Sequence, residues 1–411
     1  MDEHKDERRY YGLDALRGFM MILGIVLHAA LLYLTSPPPA APIPTDRNNA
    51  VVFDVMFEFI HDFRMPTFFV LAGFFTALLV EKRGVTGTLQ NRCSRILLPL
   101  LAALVLILPP TLILMCDFML SVRFGTHDLI PDIPQLKSLG AEMAAKTGEP
   151  GGRLPIGHLW FLYYLCMFYL LILPVRWLLA RSGVIEAALT RALGNPFTMI
   201  TFSLWTAITL WPFKGSQVHE GFVYFTPHPP SLLYYGSFFV FGYCIHTWRA
   251  FLQTAMSHVW TMAMLAAFLF PLSTVLSALD NSARGGSAEL HLYSVLANAL
   301  CTWALIYFFI GAALRYCDRP SPWIEYTSQS SYWVFLVHMP LVSLAGWWLL
   351  QFDLHAVFKF LLVCVFTSVI AFLTFHYGVQ KTWIGSFLHG RRLNLVWPWL
   401  DRRGTVRREP Q

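Results

Sequence analysis

Two ionisable residues, Arg17 and His28, interrupt an otherwise apolar stretch near the start of the chain. Eleven helical steps of about 100° separate them and return to within roughly 20° of one face. A rise of about 1.5 Å per residue would place them about 16 Å apart along the axis. A guanidinium binds phosphate or carboxylate and an imidazole acts as a base, so the pair predicts anion binding and proton transfer. The spacing also fits an Arg that reaches the lipid headgroups and a His that pairs with a neighbouring helix.

The outer half of a second apolar stretch, residues 51–80, carries five ionisable residues: Asp54, Glu58, His61, Asp62 and Arg64. Glu58 and His61 are one turn apart and can face the same way. Ionisable residues are costly inside a membrane, so such a group predicts a polar cavity and not lipid contact. A carboxylate in this cavity could hold the ring of His28 and fix its tautomer. A self-neutralising cluster that packs two helices together would have the same composition.

Three further motifs place cations or imidazoles in or beside other apolar stretches. Arg92 and Arg95 are one helical turn apart. Two arginines at this spacing can bind one phosphate group in a bidentate manner, or they can be the positive charges that set membrane topology. His158 opens the sequence HLWFL at a membrane surface with Trp160 beneath it, either as part of a site or as interfacial residues. His338 lies inside a late apolar stretch, as a catalytic partner or as a satisfied polar contact.

The sequence contains no motif typical of a metal site or of a catalytic serine nucleophile. No set of His, Asp or Glu has the spacing of metal ligands, and the seven cysteines form no CxxC pair. No serine lies in a GxSxG motif. We therefore predict no metal and no permanently bound cofactor.

The elements that must position these residues are membrane helices. Of 411 residues, 56% are hydrophobic and 13% are charged, whereas a soluble domain has about 25% charged residues. The net charge of +6 is therefore not evidence for nucleic-acid binding, and membrane lipid is the expected surrounding. We predict an all-α integral membrane fold, with about ten transmembrane helices around a polar tunnel. The approximate spans are 13–35, 51–80, 94–115, 158–180, 197–213, 231–248, 257–277, 290–314, 330–350 and 356–378.

The distribution of Lys and Arg predicts the orientation. With the N-terminus inside, twenty of them fall in inner segments and seven in outer segments. Both termini are therefore predicted to be cytoplasmic. Residues 1–380 would form the transmembrane domain, and residues 381–411 a basic cytoplasmic tail at the membrane surface. No internal repeat is visible, which counts against inverted-repeat transporter folds.

In their order along the chain, these motifs resemble those of the membrane-bound acyltransferase family three. The motifs of that family are Arg-x10-His in the first span, FRMP-FF-L-GF in the second and an RxxR pair after it. An HLWFL start to a later span and Ser-Tyr-x5-His-x-Pro near the end complete the set. This chain has them at Arg17/His28, Phe63–Phe75, Arg92/Arg95, His158–Leu162 and Ser331–Pro340. The resemblance covers about residues 10–380, and the first two spans are most similar to the branch that succinylates osmoregulated periplasmic glucans.

The resemblance implies an acyl-CoA-dependent O-acyltransferase of the bacterial inner membrane. Succinyl-CoA would be the cytosolic co-substrate, and a hydroxyl of a periplasmic glucan would be the acceptor. His28 would be the general base or, in a variant, the residue that is acylated, and Glu58 would orient it. Arg64 would stabilise the oxyanion or hold the succinyl carboxylate, a role that His61 could share. The remaining candidates would bind the substrates: Arg17, Arg92, Arg95, His61, His158, Trp160 and His338.

Other functions are compatible with the residues alone. A transporter or flippase for an anionic solute could use the same arginines and would move solute without acyl-CoA. A structural subunit without chemistry is disfavoured by five ionisable residues in one span. Within acyl transfer, the acyl group could be acetyl, and the acceptor could be lipopolysaccharide, peptidoglycan or an exported polysaccharide.

Overall fold

The computed structural model describes residues 10–37, 45–125, 133–147, 155–171, 198–213, 215–218, 225–247, 249–282 and 287–400. These residues form helices and connecting segments, with no β-strand among them. In chain order the described helices are α1 (Tyr11–Ala30), α2 (Val51–Arg92), α3 (Leu98–Leu106), α4 (Leu108–Phe124), α5 (Ile133–Thr147), α6 (Trp160–Leu170), α7 (Thr198–Leu210), α8 (Pro229–Thr247), α9 (Ala250–Ser257), α10 (Val259–Ser282), α11 (Ala288–Tyr316), α12 (Pro322–Leu349), α13 (Ala356–Leu373) and α14 (Trp383–His389).

Within the described ranges, six helical segments are long and apolar enough to cross a membrane. They are Tyr11–Tyr33, Val51–Leu106, Val259–Asn281, Ala288–Tyr316, Pro322–Leu349 and Ala356–Val379. The predicted all-helical fold is thus present, and helical residues occur in each of the ten predicted spans. The number of ten crossings and the cytoplasmic position of the termini stay predictions.

Helix α1 packs against α2, α11 and α12, and small residues allow the close approach. A Cβ added at Gly12 would lie 2.5 Å from the backbone oxygen of Ala313 on α11. A Cβ added at Gly18 would lie 3.0 Å from the hydroxyl of Thr327 on α12. Helices in membranes associate through such small residues because their backbones can then pack closely. Arg17 and His28 are therefore held among neighbouring helices.

Helices α2 and α8 cross through two glycines. A Cβ at Gly73 would lie 2.0 Å from the carbonyl oxygen of Phe239, and one at Gly242 would lie 2.0 Å from that of Val70. Each helix thus presents a glycine to the backbone of the other, so the two backbones approach closely. This crossing fixes α2, and with it the polar group at its outer half.

The regular helix of α2 breaks at Gly84, with φ 69° and ψ 176°, whereas Pro66 within the same helix keeps helical dihedral angles. Glycine reaches positive φ without the steric penalty of a Cβ, which explains why the break falls there. The chain then continues through a π-helical turn, Cys93–Leu97, into α3.

A buried ion pair holds the segment before α2 against α13. Lys359 Nζ lies 2.7 Å from Asp46 Oδ2, and the two side chains are 0% and 1% exposed. Asp46 also accepts a hydrogen bond from the backbone of Asn48 at 2.9 Å. A charge pair removed from water needs such additional hydrogen bonds, so this contact fixes the segment in one position.

Candidate active site

Arg17 and His28 both lie against α2 and α12, as their spacing predicts. Arg17 donates a hydrogen bond to the hydroxyl of Ser328 on α12 and pairs with Asp14 at 3.2 Å. Its guanidinium carbon lies 5.5 Å from the ring centre of Phe75 on α2. Further along α1, the ring centre of His28 lies 5.1 Å from that of His338 on α12, and the charge of Arg64 on α2 acts on His28. One face of α1 therefore carries both groups.

His28, His338 and His158 form a buried row of imidazole rings. The ring centres are 5.1 Å apart between His28 and His338 and 5.3 Å apart between His338 and His158. His338 Nδ1 donates to the carbonyl of Phe335 at 2.7 Å, and His158 Nε2 donates to the carbonyl of Leu336 at 3.1 Å. A neutral imidazole has one N–H, so His338 Nε2 and His158 Nδ1 are left as acceptors.

One nitrogen of each ring lacks a hydrogen-bond partner in the described part of the chain. These nitrogens are His28 Nδ1, His338 Nε2 and His158 Nδ1, and all three are buried. A buried polar atom without a partner is costly, and such atoms in a native protein typically serve a catalytic role or bind a ligand. The row is thus suited to proton transfer or to binding a group that supplies hydrogen bonds.

Arg64 places a positive charge beside this row. Its side chain is 4% exposed, and its Nε donates to the carbonyl of Met20 on α1 at 3.2 Å. The guanidinium passes over Gly24, where an added Cβ would lie 2.7 Å from Nη2. Among the described residues no carboxylate forms an ion pair with it. A buried cation without a counter-ion is costly, so the position of Arg64 favours binding of an anion or stabilisation of a developing negative charge.

Glu58 belongs to a hydrogen-bonded polar group with Gln217 and Asp62. Its carboxyl group is hydrogen-bonded to Gln217. Gln217 also donates to Asp62 Oδ1, which accepts a second hydrogen bond from Asn298 at 2.8 Å. The ring beside His28 is that of His338, at 5.1 Å between centres, and no contact between Glu58 and His28 occurs among the described residues.

His61 also contacts the segment that contains Gln217. Its Nε2 donates to the carbonyl of Val218 at 2.9 Å, and its ring stacks on Phe57 at 5.2 Å. Together with Glu58 and Asp62, it connects α2 to the short segment 215–218. This segment precedes α8 and contacts α2 through these residues.

Arg92 and Arg95 do not form the one-turn pair that their spacing predicts. Arg92 lies 5.3 Å from the ring centre of Tyr169, whereas Arg95 Nη1 donates to the carbonyls of Ser386 at 2.8 Å and Phe387 at 2.9 Å. The π-helical turn after α2 contains an extra residue per turn, so positions three apart no longer lie one above the other. The two guanidinium groups consequently contact different elements.

His158 is inside the bundle, which corrects its predicted place at the membrane surface. It is 6% exposed because a turn, Gly157–Leu159, starts at Gly157 with φ 59° and directs the ring inward. Trp160 packs against aromatic rings, 5.1 Å from Tyr235 and 5.4 Å from Tyr164. An interfacial role does not explain these contacts, and His158 joins the histidine row instead.

The sequence motifs did not single out Ser328 or Gln217. Ser328 is ten residues before His338 on α12, nearly the spacing of Arg17 and His28 on α1, and this repeated spacing is a signal that could have found it. Gln217 lies in a connecting segment, where no periodicity applies. Its contacts with α2 follow only from the tertiary fold.

A cavity of about 660 Å³ lies elsewhere, between α6, α7, α8 and α11. Its lining is almost wholly apolar and includes Phe168, Phe202, Phe241 and Trp303. It contains none of the candidate residues, so the polar tunnel stays a prediction.

Comparison with known proteins identifies relatives across most of the chain. A family model described as an acyltransferase domain matches residues 10–376. Glucans biosynthesis protein C of Escherichia coli K12 is 26% identical over 359 residues, which is 82% of this chain and 83% of that protein. The protein of the same name from Escherichia coli O157:H7 has the same identity and coverage. No solved structure has a significant match.

Proposed function

This chain belongs to the acyltransferase-domain family, and we propose that it transfers a succinyl group from cytosolic succinyl-CoA to a hydroxyl of a periplasmic glucan. The family match supports acyl transfer, and the name of the Escherichia coli relatives supports a glucan acceptor. The likeness of the first two spans to the glucan-succinylating branch supports the acyl group. We place the protein in the inner membrane with both termini cytoplasmic, because the Lys and Arg distribution favours that orientation.

The observation that carries this proposal is the histidine row beside the buried guanidinium of Arg64, for which the described residues supply no carboxylate partner. His28 and Arg64 supply a base and a positive charge at one position, and Arg17 lies on the same face of α1 towards the predicted cytoplasmic side. Charged CoA does not cross a membrane, so a thioester must reach the base from one side and the acceptor from the other. A base within the bundle meets that requirement.

In the proposed reaction, His28 removes the proton from the acceptor hydroxyl as its oxygen attacks the thioester carbonyl. The carbonyl π electrons move to oxygen, and Arg64 stabilises that negative charge. The C–S bond then breaks, the carbonyl re-forms, and the thiolate takes the proton from His28. The products are an O-succinyl ester and free CoA.

We assign the orientation of His28 to His338. The ring centres of His28 and His338 are 5.1 Å apart, without a hydrogen bond between the two rings. We propose that a reorientation of the rings during the reaction lets His338 Nε2 accept from Nδ1–H of His28, because the backbone holds the proton of His338 on Nδ1. His28 Nε2 is then the basic nitrogen. This pairing satisfies two of the buried nitrogens that otherwise lack partners.

A His28→Ala variant in proteoliposomes tests the function. With labelled succinyl-CoA on the cytoplasmic side and glucan on the other, transfer should fall about 10²–10⁴-fold because the base is lost. His246→Ala is the matched control, since His246 is also buried but packs on Phe74 away from the row. Equal transfer by wild type and His28→Ala would exclude His28 as the base.

The orienting role is tested separately with His338→Gln and Glu58→Gln. His338→Gln should lower kcat while leaving KM for succinyl-CoA nearly unchanged, and should shift the pH profile of kcat. Glu58→Gln should leave that profile unchanged. A shift caused only by Glu58→Gln would assign the role to the carboxylate instead.

The donor is tested by comparing succinyl-CoA with acetyl-CoA in the same assay. The proposed succinyl donor predicts a higher kcat/KM for succinyl-CoA than for acetyl-CoA. Trapping of labelled succinyl on the denatured protein would favour the acyl-histidine variant of the mechanism.

A further inference from the structure

The chain after α13 folds back onto the bundle at the end where Arg17 lies. Leu393 N donates to the carbonyl of Gln380 at 2.7 Å, and Leu395 N donates to Gln380 Oε1 at 3.0 Å. Trp397 stacks on His376 with 4.1 Å between ring centres and an angle of 11°. We call residues 383–397 the tail cap. The sequence had indicated a membrane-surface tail, whereas these contacts dock the segment on the protein.

Arg95 anchors the tail cap. Its Nη1 bonds to the last carbonyls of α14, those of Ser386 and Phe387, so the cation lies at the negative end of that helix. The guanidinium also lies against Gly390, where an added Cβ would be 2.3 Å from Nη2. Gly390 has φ 81°, a conformation that favours glycine. The guanidinium of Arg95 therefore holds the tail cap in position through these hydrogen bonds.

The anchored cap brings cations together. Burial and the positive charges of Arg17, Arg95 and Arg391 lower the pKa of His389 to about 4, so its ring is neutral near pH 7. His389 Nε2 is buried and has no hydrogen-bond partner in the described part of the chain. An unpartnered imidazole nitrogen among arginines is suited to donate its N–H to an anion that the arginines attract.

We propose that the tail cap forms one wall of a phosphate-binding site, in which Arg391 and His389 join Arg17 to hold the phosphate groups of the nucleotide donor. This inference rests on the proposed function, because it names the part of acyl-CoA that stays at the predicted cytoplasmic face. Arg95 has a positioning role here and is not a direct ligand. The site contains residues from both ends of the chain, so it forms only when the tail cap is docked.

Phosphate could also come from a lipid headgroup, and the arrangement favours the nucleotide. The face of α1 that carries Arg17 continues to His28, which is the direction that the acyl arm must take from its phosphates. A lipid headgroup bound at the same place carries no thioester arm that would extend to His28. An experiment can distinguish nucleotide phosphate from lipid phosphate, because only binding of a lipid headgroup depends on the lipid composition.

The test measures binding of CoA to the full-length protein purified in zwitterionic detergent micelles. Arg391→Ala should raise the Kd for CoA about tenfold, because a charge-assisted contact with the phosphate groups is lost. Arg392→Ala is the matched control, since it removes the same charge from the adjacent exposed residue, and it should change the Kd little. Binding of succinyl-pantetheine, which lacks the nucleotide phosphates, should be equal in all three proteins.

Three results would overturn the proposal. Equal CoA affinity of wild type and Arg391→Ala would remove Arg391 from the site, and an equal loss in Arg392→Ala would reveal a general surface charge. An effect of Arg391→Ala seen only when anionic lipid is added would assign the cap to lipid headgroups. Failure of the wild type to bind CoA would instead contradict the proposed function itself, so the two failures are distinguishable.

Discussion

A single methyl group on α1 should test whether the position of Arg64 matters for catalysis. An added Cβ at Gly24 would lie 2.7 Å from Arg64 Nη2, whereas ordinary contact begins at 3.4 Å. The guanidinium must therefore move by about 0.7 Å in Gly24→Ala. A misplacement of about 1 Å near reacting atoms costs on the order of 10²-fold, so we expect kcat to fall roughly 25-fold. Folding should be preserved, since Ala favours a helix over Gly by about 1 kcal/mol.

The assay is transfer from labelled succinyl-CoA to glucan, with thermal unfolding of the same preparations as a measure of folding. A double-mutant cycle isolates the cause, because Gly24→Ala should have no further effect in an Arg64→Ala background. Gly378→Ala is a control for the substitution itself, since nothing lies within 4 Å of its added Cβ. Unchanged kcat in Gly24→Ala, or an equal loss in both backgrounds, would refute the role assigned to Arg64.

Three further predictions concern the stability of the fold. Lys359→Met should destabilise the protein by about 3–5 kcal/mol in unfolding assays because Asp46 is left buried and unpaired, and adding Asp46→Asn should restore most of the loss. Gly73→Ala should reduce the yield of folded protein in size-exclusion chromatography, because its Cβ would meet the backbone of α8 at 2.0 Å and a backbone cannot move aside as a side chain can. The low pKa of His389, about 4 against about 6.5 in the unfolded chain, stabilises the folded state above pH 6.5, and this contribution is lost as pH falls to 4. The Tm of His389→Gln should therefore fall less steeply than that of wild type over this range, and parallel curves would contradict this explanation.

Helical periodicity predicted the relative positions of two side chains correctly where both belong to one regular α-helix. The shared face of Arg17 and His28 follows from their spacing, because the turn of an α-helix is constant. The same reasoning was wrong for Arg92 and Arg95, since a π-helical turn between them alters the angle. The sequence of residues 93–97 contains no pattern that predicts the π-helical turn. Local geometry can thus change which helix a side chain meets.

Contacts between distant segments lay beyond sequence reasoning. Glu58 was expected to orient His28, whereas the structure places the ring of His338 5.1 Å from that of His28 and hydrogen-bonds Glu58 to Gln217. His158 was expected at the surface and is buried in the histidine row. Pairing of side chains depends on how helices cross, and a crossing is fixed by packing partners that can be far apart in the chain.

The sequence by itself determined an all-helical membrane protein and the chemical types along one face of α1, because hydropathy and helical periodicity are local properties. Only the tertiary structure decided which groups meet. It joined three histidines from α1, α12 and the turn before α6, placed Arg64 beside them with no counter-ion among the described residues, and docked the tail cap on Arg95. These pairings depend on the close approach of backbones at glycines and on buried hydrogen bonds, and both require the whole bundle to be assembled.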